Sequence, residues 1–219
     1  MFFSRSFVQA TVAALAVGTA LGVLGPALET TGIAAVHVAH LVLSAGWSWA
    51  ALAFCMGLTR KSRSESAILA PVSLIAAVIA YYVVKLDRGE YLEAVNLADP
   101  SQGAQVHWVS FLSKTVFWCL AAVVLGLILG LAGNLARHGS LRGLPFRVLI
   151  PLIAILEMSM RLRAEASLQG ELAGTTWIVT RLVAVAAVVA LVAHAAITYW
   201  HRPSAPDSRM IVHDFEDNG

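Results

Sequence analysis

Charge is scarce in this chain. Only 13% of its 219 residues are Asp, Glu, Lys or Arg, while 58% are hydrophobic. An ordinary soluble domain is about a quarter charged. So few polar side chains cannot coat a water-soluble globule of this size, which excludes a disordered chain and a typical soluble enzyme. Cysteine is scarcer still, at two residues. Cys55 and Cys119 both fall inside apolar segments, which excludes a disulfide scaffold and any CxxC metal or redox motif. Fifteen basic and 13 acidic residues leave a net charge of +2, with no Lys/Arg cluster larger than three. No nucleic-acid partner is expected from that footprint. GxSxG, HExxH, GxGxxG, a Walker loop and an Asp-rich DDxxD cluster are all missing. Any chemistry is therefore expected to proceed without nucleotide, without diphosphate ionisation, and without metal or other cofactor.

What is present is apolar length. Mean hydropathy is +0.76, and six segments approach the roughly 20 residues that a bilayer core requires. They run about 7–27, 33–58, 67–85, 108–132, 148–168 and 177–199. None alternates like a barrel strand, so all are expected to be helical. The expected fold class is all-α: a polytopic bundle of about six transmembrane helices in one domain over 1–202. A disordered cytoplasmic tail is expected over 203–219.

Basic residues set the orientation. Arg5, Arg60, Lys61, Arg63, Arg137, Arg142, Arg147, Arg202 and Arg209 fall on one side of six spans. Only Lys85 and Arg88 fall on the other, with Glu29, Asp87, Glu90, Glu93, Asp99 and Glu171. The positive-inside rule places both termini in the cytoplasm, with the chain in the inner (plasma) membrane. It also favours an uncleaved first span over a signal peptide ending near residues 25–27. The longest outer loop, 86–107, is polar, and a short interfacial helix is expected over 90–97.

Ionisable groups inside a span are costly and usually face the bundle interior or a cavity. Glu157, Arg161 and Glu165 repeat at i, i+4 and i+8, a stripe on one face of the fifth span. The stripe reads either as a site lining or as an ion pair that locks helix packing. Pro151, one and a half turns earlier, is expected to kink the helix. His37, His40, Ser44, Trp47 and Ala51 fall on one face of an unbroken second span. His107, Phe111, Lys114 and Trp118 do so in the fourth, and Trp177 and Arg181 lie one turn apart in the sixth. Tyr81, Tyr82 and Trp108 complete an outer aromatic set that also fits an interfacial belt. These positions predict an outward-opening cavity lined by His37, His40, Trp47, Tyr81, Tyr82, Trp108, Phe111, Lys114, Trp118, Arg161 and Arg181. Ala10, Ala14, Gly18 and Gly22 form a small-residue ladder that admits a close helix neighbour. That neighbour lies either in this bundle or in an oligomeric partner.

Two functions follow. A carboxylic acid in hydrocarbon donates a proton to an alkene or epoxide, and aromatic faces stabilise the carbocation, by about 2 kcal/mol or more when dry. Glu157 is the first candidate acid. Asp87, Glu90 and Glu93 replace it if Arg161 keeps Glu157 ionised. The alternative is a solute-binding or transport subunit, resembling in layout the substrate-binding proteins of energy-coupling-factor transporters.

The segments SAGWSWAALAF (44–54) and APVSLIAAVIAYY (70–82) resemble small bacterial six-span proteins. In size, span count, and acids and aromatics without a diphosphate motif, the chain is similar to the integral membrane class II terpene cyclases of meroterpenoid, drimentine-type pathways. That resemblance implies an apolar prenylated substrate, a farnesyl-type chain cyclised within the lipid bilayer.

Overall fold

The computed structural model describes residues 5–29, 32–95, 103–138 and 141–200. The expected tail over 203–219 lies outside them.

The backbone is helical in nearly all its described length. The helices are α1 (Arg5–Ala27), α2 (Ala34–Leu43), α3 (Gly46–Leu58), α4 (Arg63–Asp87), α5 (Trp108–Ala136), α6 (Leu144–Arg147), α7 (Leu149–Ala164), α8 (Ala166–Gln169) and α9 (Glu171–Trp200). Four of them, α1, α4, α5 and α9, are long and apolar enough to cross a bilayer. The pair α2–α3, bent by 61°, makes a fifth crossing if it is one broken span. The chain is an all-α membrane protein. The expected fifth span is shorter than the pattern implied. Helix α7 has 16 residues, about 24 Å at 1.5 Å per residue, against a hydrocarbon core of about 30 Å.

Small residues decide how the long helices pack. Helix α1 lies along α4, α4 along α5, and α3 wedges against both α4 and α5, while α7 pairs with α9 and touches α3. Ala14 is fully buried. A Cβ added at Gly18 would run into the Ser73 carbonyl, and one at Gly22 into the Ala77 carbonyl. Gly18 and Gly22 of the expected ladder are thus covered by α4 of this same chain. A second ladder went unread in the sequence. Gly126 and Gly130 of α5 meet Pro71 and Ser66 of α4, and Gly133 meets the Phe54 carbonyl of α3. In lipid, where apolar surface gains little by association, such backbone approach is the main source of helix affinity.

The two ends of the bundle differ. At the basic end, Asn134 is buried and donates from Nδ2 to the Arg60 carbonyl at 2.6 Å and to Ser66 Oγ at 3.2 Å, fastening the α3–α4 turn to α5. Arg147 Nε donates to the Ala136 carbonyl at 2.9 Å, a cation on the negative end of α5. At the opposite end the chain forms a hairpin. Strand β1 (Leu92–Ala94) runs antiparallel to β2 (Ala104–Val106), with Glu93 opposite Gln105. The helix expected over 90–97 is therefore not formed in its described part, and residues 96 and 97 lie outside the description. Gly89, at φ +76°, stops α4 in a conformation that favours glycine. Tyr91 then tucks under the hairpin between Tyr82 and Phe111, which fixes an extended path.

One further expectation is corrected. The second span is not continuous, so its 3.6-residue face ends at Ser44. The helix expected to bend at Pro151 is interrupted at Val148, three residues before it, where α6 passes into α7.

Candidate functional site

The site begins with a helix that stops and restarts. Ala45 is extended, at φ −73° and ψ 142°, between the end of α2 and the start of α3. A break at bilayer depth leaves orphan carbonyls on one side and orphan amides on the other, and lipid satisfies neither. The next turn of the chain satisfies the carbonyls. Ser48 Oγ donates to the Val42 carbonyl, and Trp49 Nε1 donates to the Leu43 carbonyl at 3.1 Å. A distant carboxylate takes the amides. Gly46 N–H donates to Glu157 Oε1 at 2.9 Å and Trp47 N–H to Oε2 at 2.7 Å. Arg161 Nε donates to the same Oε1 at 3.1 Å, and its Nη1 reaches Glu165 Oε2 at 3.3 Å. The expected i, i+4, i+8 stripe is therefore real, and it joins α7 to the restart of α3. Glu157 is the acceptor in all three contacts, with the positive end of a helix and a guanidinium around it.

Beside this junction lies a cavity of about 410 Å³, walled by α3, α4, α5 and α7. Trp49, Tyr81, Tyr82 and Trp118 supply its aromatic surface, Leu74, Val78, Leu125 and Leu129 its aliphatic surface, and Ser44, Glu157 and Arg161 its polar groups. Trp49 meets Tyr81 edge-on, with ring centroids 5.8 Å apart, and Tyr81 meets Tyr82 at 5.4 Å. Beyond Leu129, toward the basic end, Phe146, Leu149 and Ile150 pack on Phe54, Ala132 and Ala136.

Of the predicted site residues, the cavity brings together Glu157, Arg161, Tyr81, Tyr82 and Trp118. The others stand elsewhere. Trp47 packs with Ala45, Met158 and Trp177, because α3 restarts at Gly46 and the register set by His37 does not carry across the break. His40 donates from Nδ1 to the Gly25 carbonyl at 2.7 Å, with the His37 ring beside it. This is helix–helix bonding between α2 and α1; the same Nδ1 lies 3.3 Å from Ser44 Oγ, so His40 stands one turn behind the cavity wall without lining it. Phe111 packs on Tyr91, Lys114 Nζ sits 5.5 Å from the centre of the Tyr91 ring, and Trp108 is exposed beside Phe111. Arg181 is in α9, outside the wall. Burial pushes the Tyr91 phenol up.

The three alternative acids do not reach the cavity wall either. Glu90 pairs with Lys85 at 2.7 Å, Glu93 lies 3.7 Å from His107 Nδ1, and Asp87 is exposed in the last turn of α4.

Sequence reasoning missed Trp49, Gly46, and the α5 face of Ala121, Ala122, Leu125 and Leu129. One signal was available. Trp47 and Trp49 lie about 200° apart on a helix and cannot share a face, so only one could line a cavity. No family model, curated protein or solved structure matches this chain.

Proposed function

We propose that this protein binds an elongated, largely apolar small molecule inside the bilayer, as the solute-binding unit of a transport or carrier process. The observation that carries this reading is the cavity beside a broken helix. Interrupted helices at membrane depth occur where they line a cavity, and they recur at the midplane sites of transporters. Aromatic and aliphatic walls with a few polar groups at one place are the usual make-up of a small-molecule site. In this reading α7 completes a sixth crossing with α6 and α8 at its ends. The basic end of the bundle and both termini lie in the cytoplasm, and the chain resides in the plasma membrane.

A second reading, class II cyclisation of a farnesyl-type chain, is favoured by the walls of Trp49, Tyr81, Tyr82 and Trp118, which suit a carbocation. The proton is its difficulty. Glu157 accepts three hydrogen bonds, and the other candidate acids stand at the hairpin end. That difference puts binding first.

The test uses the purified protein in nanodiscs with farnesol as probe. Saturable quenching of tryptophan fluorescence, lost when Ala121→Trp fills the cavity, supports binding. Mass-spectrometric detection of a cyclised isomer, made by the wild type and lost in Glu157→Gln, would favour the cyclase. Absence of saturable binding would remove both readings.

A further inference from the structure

The polar groups of the cavity are already balanced against one another, and this bears on what the cavity takes. Glu157 is matched by the amides that open α3 and by Arg161, which it shares with Glu165 outside the cavity wall. An ammonium brought to that place would meet Arg161, and a carboxylate or phosphate would meet Glu157. Either charge would also leave water for an aromatic and aliphatic enclosure, which costs several kcal/mol without a dedicated partner. The Tyr81 ring, one of the four aromatic wall groups, already has Lys85 Nζ at 5.2 Å from its centre. Ser44 Oγ and the carboxylate oxygens remain suited to a hydroxyl, a carbonyl or an amide.

The way in can be read from exposure. Trp118 and Leu125 line the cavity, and each is 48% exposed. Trp118 lies ten residues into α5 and Leu125 seventeen, about 15 and 26 Å along the helix. At those depths the neighbouring medium is hydrocarbon. Val124 and Ile128 are exposed beside them, at 56% and 58%, and belong to the outer apolar face of α5. The cavity wall therefore runs into the lipid-facing surface without an intervening polar rim. Across the gap, α7 presents Leu156 and Met160 to the same medium, at 65% and 70% exposed. Toward the basic end Leu149 and Ile150, at the start of α7, pack on the cluster of Phe54, Ala132 and Ala136.

We propose that the cavity admits a neutral amphipath of isoprenoid or fatty-alcohol type sideways from the bilayer, between α5 and α7 past Trp118 and Leu125, and holds its polar end at Ser44 and Glu157. The cavity wall along α5, from Trp118 to Leu129, is about 16 Å long, which suits a chain of about fifteen carbons. This inference rests on the binding function proposed above and adds the ligand's charge and its route.

Three probes of one skeleton test it: farnesol, farnesylamine and farnesoic acid, titrated into the full-length protein in nanodiscs at pH 7. The signal of Trp118 is isolated by subtracting a Trp118→Phe variant, which keeps an apolar aromatic wall. Farnesol is expected to bind at least tenfold more tightly than either charged analogue. Mid-chain brominated phosphatidylcholine is expected to quench Trp118, and farnesol to relieve that quenching. If the amine or the acid binds as tightly as the alcohol, the neutral-ligand assignment is overturned while the binding function stands. If Trp118 is not quenched by brominated lipid, lateral entry is overturned. If none of the three binds, this inference falls together with the function it rests on.

Discussion

Glu157 of α7 caps the amide of Gly46, 111 residues earlier in the chain, at 2.9 Å. The same carboxylate holds the amide of Trp47 and the guanidinium of Arg161. It therefore ties the α7–α9 pair to the helices built around α4. The restart of α3, the position of Trp49 and one side of the cavity all depend on that tie.

Removing the tie is expected to be costly and partly reversible. Glu157→Leu leaves two helix amides unpartnered and Arg161 with Glu165 as its one remaining carboxylate, a loss of about 2–5 kcal/mol. Glu157→Gln keeps one acceptor oxygen and is expected to cost less, about 1–3 kcal/mol. Adding Arg161→Met to Glu157→Leu removes a guanidinium that has lost one of its two carboxylates, and should recover part of the loss because Glu165 is exposed. Thermal unfolding in detergent checks the order of the three. Equal melting temperatures for wild type and Glu157→Leu would show that the capping contacts carry no weight.

The two half-buried tryptophans of the junction should respond differently. Trp49→Phe deletes the donor to the Leu43 carbonyl and is expected to cost about 0.5–1.5 kcal/mol. Trp47 Nε1 is buried without a hydrogen-bond partner, so Trp47→Phe should be neutral or slightly stabilising in the same unfolding assay. A larger loss at Trp47 than at Trp49 would contradict this account of the break.

Glycine substitutions separate packing from propensity. Gly18→Val and Gly130→Val drive side chains into the backbone of α4 and should abolish folded yield on size exclusion. Gly174, in α9, has nothing within 4 Å of an added Cβ, so Gly174→Ala should be tolerated and gain up to about 1 kcal/mol of helix propensity. Normal yield of Gly18→Val would mean that α1 does not pack along α4 as described.

Sidedness is checked by labelling in intact cells, in a Cys55→Ala, Cys119→Ala background. Glu93→Cys, in the hairpin, is expected to react with an impermeant maleimide. Arg137→Cys, at the basic end, should react only after permeabilisation. The reverse pattern would invert the topology.

The long helices were legible because each is an uninterrupted apolar run, and α1, α4, α5 and α9 lie close to where hydropathy put them. The Glu157–Arg161–Glu165 stripe was legible because i, i+4 spacing is local. The break at Ser44–Ala45 was not. Its segment is apolar throughout, and the group that makes the break affordable lies on another helix. Once that break is missed, His37 and Trp47 seem to share a face, and the site is drawn around the wrong tryptophan. The hairpin was missed for a similar reason, since the partner strand of Leu92–Ala94 comes only later in the chain, at Ala104–Val106.

The central claim is that the cavity beside Glu157 holds an apolar molecule in the membrane. Native mass spectrometry of the protein, released from membranes in mild detergent, tests it most directly. The account predicts a neutral, organic-extractable adduct at one per chain on the wild type, and none on Ala121→Trp. A wild-type chain at bare mass after incubation with farnesol, or the same adduct retained by Ala121→Trp, would contradict it.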